Sequence, residues 1–177
     1  MAKAKTSTFT LTEEINMTGS TGSATIPIGS LIDVGDAQAL EIESVDYIFM
    51  TKITSTGQYL PLGQGLSVSA QSHVAVQLMD KNASALISPA DNNLISSAAL
   101  THSTSGGLYH SADFYPDDFK NDSGRFVVND EMYLQVDGSL NYTTGYELAV
   151  AVRIKARVVK LATRDWMAIS LETVQNE

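Results

Sequence analysis

The chain of 177 residues contains no cysteine, so disulfides, thiolate metal sites and cysteine nucleophiles are excluded together. Any fold it adopts rests on packing and backbone pairing. Charge is scarce at 18% of residues, against the usual quarter. Basic residues are scarcer still, 11 against 20 acidic ones, which leaves a net charge of −9. General nucleic-acid binders are basic, so this balance disfavours a sequence-reading DNA or RNA module. Aromatics make up only 7%. No run of about 18 apolar residues occurs, and no membrane insertion is expected. No apolar stretch follows Lys3 and Lys5, so no secretory signal is read, and synthesis in a cytoplasm is expected.

Ser and Thr fill the gap, at about a fifth of the chain, beside a hydrophobic content of 44%. This mixture disfavours helix and disorder and favours β-structure. The length suits one domain over 1–177, burying roughly 70% of its unfolded surface. Apolar residues recur with period 2 nearly throughout. Phe9, Leu11, Ile15 and Met17 alternate with threonines, predicting a first strand. Gly19-Ser20-Thr21-Gly22 turns the chain, and a short strand over 23–28 ends with Pro27. Residues 38–54, 66–80, 125–137 and 145–161 read as further strands. In 38–54 the first half is apolar on one face and the second half on both. Residues 82–124 lack sustained periodicity and read as loop-rich excursions around one or two short strands. Thr163 is placed to cap a short helix over 164–174, with Asp165 in its first turn, while Met167, Ile169 and Leu171 also fit a strand; the helix is favoured. Seven to nine strands with no long helix predict an all-β, antiparallel β-sandwich or barrel.

Catalytic signals are weak. No Gly-x-Ser-x-Gly elbow or phosphate-cradling loop is present. His102, His110 and Asp113, with Asp117 and Asp118, could form a two-His, one-carboxylate site, but the spacing is loose and a solvated acidic loop accounts for it. His73 reads as a half-exposed strand residue. Carboxylates at Asp117, Asp118, Asp130 and Glu131 lie in turn-like stretches, where acids are ordinary. No catalytic residue, metal site or cofactor is expected. Tyr109, Phe114, Tyr115 and Trp166 would be stacking platforms if the chain were instead a carbohydrate- or ligand-binding β-sandwich.

One feature concentrates charge. Arg153, Lys155, Arg157, Lys160 and Arg164 are five of the eleven basic residues, within twelve positions. The first three share one strand face, about 7 Å apart in succession. They can meet phosphates of a nucleic-acid backbone, or pair across strands with the acidic Glu41 and Glu43. They can also form no more than a solvated outer face, and the net charge favours this or the pairing over phosphate contact.

From Arg125 onward, the run "GRFVVNDEMYLQVDG" and then "YELAVAVRIKARVVKLATRDWMAISLETVQ" resembles the C-terminal end of single jelly-roll capsid proteins of small icosahedral viruses from microbes and marine samples. The carrying pieces are Val128-Asn129-Asp130-Glu131 entering a strand, Asp137-Gly138 closing it, and a long final strand ending at Lys160. The resemblance covers about a third of the chain. It implies a single jelly roll of about eight strands, with a short N-terminal arm (1–6) and a C-terminal segment (162–177). It further implies a virion protein, made in the host cytoplasm, that self-assembles into a homo-oligomeric shell around a viral genome. Other capsid proteins and non-specific genome contact are implied as partners. The sequence departs from many such proteins in lacking a long basic arm, since only Lys3 and Lys5 remain there.

Overall fold

A computed structural model describes residues 2–17, 19–66, 72–102, 108–111, 125–139 and 142–174. Among the described residues there are eleven strands: β1 (Lys3–Ala4), β2 (Phe9–Met17), β3 (Thr21–Pro27), β4 (Gln38–Ile53), β5 (Tyr59–Pro61), β6 (Ser72–Met79), β7 (Leu94–His102), β8 (Leu108–Ser111), β9 (Arg125–Val127), β10 (Glu131–Ser139) and β11 (Tyr146–Lys160). One helix follows, α1 (Thr163–Val174).

The strands pair as nested partners: β2 with β11, β3 with β10, β4 with β9, and β6 with β7, all antiparallel. A long hairpin rolled up on itself has this nesting. The rolling leaves β2–β11–β4–β9 in one sheet and β3–β10–β6–β7 in the other, with β8 beyond β7. This is the double Greek key connectivity of a jelly roll. The short β1 continues the β2 edge of β11, and β5 continues the β9 edge of β4.

Alternation builds the core. β10 points Met132, Leu134 and Val136 inward, β6 points Val74, Val76 and Leu78, and β11 points Leu148, Val150, Val152, Ile154, Ala156 and Val158. These faces meet in one apolar cluster with Leu40, Ile42 and Val45 of β4. Strict alternation along β4 does not hold, however. Its register against β11 shifts between Lys155 and Ala156, so that Glu43 is the extra residue. Leu40 and Ile42 face inward before this bulge, and Val45, Tyr47 and Phe49 after it. The apparent double apolar character of 38–54 is therefore one buried face that changes phase.

One further expectation is corrected. Within 82–124, β7 is a nine-residue strand, not a short one, and it pairs along the whole of β6. Its residues Ser96, Ser97, Ala98 and Ala99 hide the strand signal, because small polar side chains carry little periodicity. The expected strand over 66–80 is described only from Ser72, since 67–71 lie outside the described residues. The helix is as expected and begins at Thr163. Trp166 and Ile169 pack against a small second cluster of Ala39, Val128, Val159 and Leu161 on the outside of the first sheet.

Close backbone approach fixes Gly138. It pairs with Val74 of β6, and a Cβ there would lie 2.5 Å from the His73 carbonyl oxygen and 2.8 Å from Val74 Cα. Gly138→Ala is expected to destabilise the fold by about 1–3 kcal/mol through overpacking against backbone that cannot yield. Chemical denaturation of the purified variant measures it.

Candidate functional site

The outward face of the first sheet carries the basic ladder. Alternation along β11 turns Arg153, Lys155 and Arg157 away from the core, and the register sets each beside a defined neighbour on β4. Arg157 lies opposite Glu41 and forms a two-point ion pair, Nε to Oε2 at 2.8 Å and Nη2 to Oε1 at 3.1 Å. This hydrogen-bonded carboxylate raises the pKa of the Arg157 guanidinium above its ordinary value. Lys155 Nζ stands 3.9 Å from Glu43 Oε2, and Glu43 also accepts a hydrogen bond from the Thr8 hydroxyl at 2.9 Å. The bulge is what brings Glu43 there, since its extra residue faces the ladder next to Ser44.

Arg153 differs. It lies opposite Asp46 on β4 and Thr12 on β2, is exposed, and makes no ion pair among the described residues. The other two predicted cations leave the ladder. Lys160 falls on the opposite side of the strand and pairs with Asp36, which also meets Lys5 at 3.6 Å. Those contacts hold the Asp36 pKa below its ordinary value, chiefly through the Lys160 hydrogen bond and next through Gln38. Arg164 is exposed on α1.

Beyond Arg153 the same face carries Tyr59 among charged and polar partners. Tyr59 of β5 donates to Glu14 Oε1 of β2 at 2.6 Å, reaching over the two strands between them. The small Ala149 and Ala151 leave it room. Lys52 Nζ sits 5.6 Å from the Tyr59 ring centre and 3.8 Å from Glu147 Oε1, and donates to Asn16 Oδ1 at 3.0 Å. Ile48, at 37% exposed, remains in contact with solvent on this face.

A second polar cluster, not expected from the sequence, ties the two sheets at one end. Asp80 follows β6 and is buried, and Arg125 opens β9. Their side chains meet at 3.4 Å, and Asn129 Nδ2 donates to the Asp80 carbonyl at 2.7 Å. Lys81 pairs with Asp91 at 3.8 Å nearby. Asp80 Oδ1, Arg125 Nε and Asn93 Nδ2 are buried without hydrogen-bond partners among the described residues. Burial pushes the Asp80 carboxyl up to about 6, with Asp91 adding to the rise and Arg125 opposing it. A charged residue closing the apolar run Val76-Gln77-Leu78-Met79 was the available signal.

The remaining candidates do not converge. His73 is exposed on β6. His102 ends β7 and His110 lies in β8, while Asp113, Phe114, Tyr115, Asp117 and Asp118 lie outside the described residues. Glu131 accepts from the Tyr133 hydroxyl at 2.5 Å, and the Asp130 carbonyl accepts from the backbone of Ile28 and Gly29. Among the described residues no three His, Cys, Asp or Glu side chains are grouped to hold a metal. Trp166 cannot serve as a stacking platform, because its ring is committed to packing α1 on the sheet.

The pH dependence of Asp80 has a definite sign. Its folded pKa is above its unfolded one, so the folded state binds the proton more tightly, and the stability this gives is lost as pH rises from 3.8 through about 6. The loss reaches about 3 kcal/mol, from roughly two pKa units at 1.36 kcal/mol each. Denaturation midpoints from pH 4 to 8 should show this component in the wild type and not in Asp80→Asn.

No family model matches the chain, and no curated protein matches it. Among solved structures it is similar to an unassembled mutant VP1 pentamer of Washington University polyomavirus. There the identity is 7% and the TM-score 0.47, covering 90% of this chain and 98% of the other. It is likewise similar to Merkel cell polyomavirus VP1 in complex with GD1a oligosaccharide, at 8% identity and TM-score 0.46 with the same coverages.

Proposed function

We propose that this chain is a structural subunit of a viral shell that assembles with copies of itself around a genome. The observation that carries the reading is the jelly-roll connectivity, in which long paired strands present broad faces. Jelly rolls serve in viral capsids, lectins and cupins, so connectivity alone leaves several roles open. The resemblance of the segment from Arg125 onward to small-virus capsid proteins favours the first. So does the surface, where Leu31, Val34, Ile48, Met167 and Leu171 stand exposed and suit contacts between copies.

Within this reading the ladder divides its work. Arg157 is neutralised by Glu41 and braces the sheet, whereas Arg153 and Lys155 are the cations free enough to meet phosphate or a neighbouring subunit. Sedimentation analysis and negative-stain microscopy of the purified protein should find shells or capsomers. A monodisperse monomer over a wide range of concentration and salt would refute the proposal.

The ladder has its own test. Arg153→Gln with Lys155→Gln should leave the subunit folded, since exposed pairs contribute about 0–1 kcal/mol each. If these residues meet phosphates, the double variant should retain less nucleic acid. Its log–log salt slope should be shallower by about 2, because each neutralised phosphate contributes about 0.9. Unchanged assembly and retention would reduce Arg153 and Lys155 to a solvated face.

A further inference from the structure

We propose that the outer face of the second sheet carries a binding groove for a neutral saccharide. The groove has a volume of about 490 Å³, within the size range of small-molecule sites. Its floor is the solvent-facing side of β3 and β10, and its wall is the segment Asn82, Ala83 and Ser84.

A pair of glutamines shows how the groove arises. Gln77 of β6 and Gln135 of β10 face each other across the sheet, with Ser23 of β3 next in the row. Gln77 uses its whole amide on the backbone of Ile87, donating to the carbonyl at 3.0 Å and accepting from the N–H at 2.8 Å. This double bond pins the loop after β6 over the sheet, and the edge of that loop becomes the groove wall. Gln135 is only 4% exposed, lines the groove, and makes no side-chain hydrogen bond among the described residues. The Gln135 amide opens on the groove with no protein partner among the described residues, so it is available to a ligand that both donates and accepts.

The lining sets the ligand's chemistry. Thr21, Ser23 and Thr25 repeat on one strand face, about 7 Å apart, and each hydroxyl can donate or accept. Asn82 and Ser84 face them from the wall, and the half-buried Tyr133 ring offers an apolar patch. No charged side chain lines the groove. Its flanks on β10 are Glu131 and Asp137, both acidic and on the same strand face, and Lys81 is held by Asp91. Anions are therefore repelled, which disfavours phosphates, nucleic acids and acidic glycans. A polyhydroxylated neutral ring matches dense donor–acceptor pairs around a small apolar surface. Sugar binding in this groove does not depend on shell assembly.

Saturation-transfer NMR on the full-length protein, in whatever assembly state it adopts, provides the test. The probes are neutral trisaccharides of glucose, galactose and N-acetylglucosamine, with sialylated and sulfated trisaccharides as anionic controls. At least one neutral probe should bind at millimolar concentration or better, and the anionic ones should bind more weakly. Gln135→Ala should weaken binding about tenfold, the loss expected for one hydrogen bond. Ser84→Trp, an exposed wall residue, should block the groove while leaving the thermal midpoint unchanged. Absence of transfer to every neutral probe overturns the proposal. So does binding that survives Ser84→Trp, or a preference for the acidic sugars.

Discussion

Everything in this molecule hangs from the antiparallel pairing of β4 with β11. The register runs unbroken except for one bulge, from Tyr146 opposite Ile53 to Lys160 opposite Gln38. Both strands bury one face against the second sheet, so the pair supplies backbone hydrogen bonds and core area along the same line. β2 and β1 dock on one side of this spine and β5 and β9 on the other. α1 covers its end through Trp166 against Ala39 and Val159. The ladder residues owe their positions to the same pair, because it sets Arg157 against Glu41 and Arg153 against Asp46.

The bulge at Glu43 is a small irregularity with a large effect on the surface. A perfect ladder would leave Glu43 facing the core together with Val45 and Tyr47. One extra residue moves Glu43 outward, where Thr8 and Lys155 engage it. It also increases local twist. Acidic and basic side chains thus interleave over that end of the sheet, while at the other end Glu14, Lys52 and Glu147 gather around Tyr59.

Much of this was legible in the sequence. Alternation along Phe9–Met17 and over 145–161 marked those strands, and pairing of the ladder with Glu41 and Glu43 was one of three readings open for it. The phase change between Ile42 and Val45 was also visible, but strict alternation had no place for it and rendered it as two apolar faces. β7 was hidden because its run Ser96-Ser97-Ala98-Ala99 of small side chains carries little periodicity, although the strand pairs along the whole of β6. The tie between Asp80 and Arg125, and the groove beside Gln135, depend on residues brought together across the sheets from distant parts of the chain. Local pattern cannot show such meetings.

The nested pairing also orders events in time. Phe9 pairs with Ala156, and Lys3 with Lys160. The strands nearest the two ends of the chain are therefore partners, and the outermost layer of the roll is the last that can close. Such distant contacts fold slowly, because the chain between them must be ordered first. On a ribosome, β2 emerges early and waits with its hydrogen-bonding edge unsatisfied until β11 has been made. The surface bearing Arg153 and Lys155 does not exist before that moment. Translation itself thus acts as a clock that withholds this face until β11 has been made.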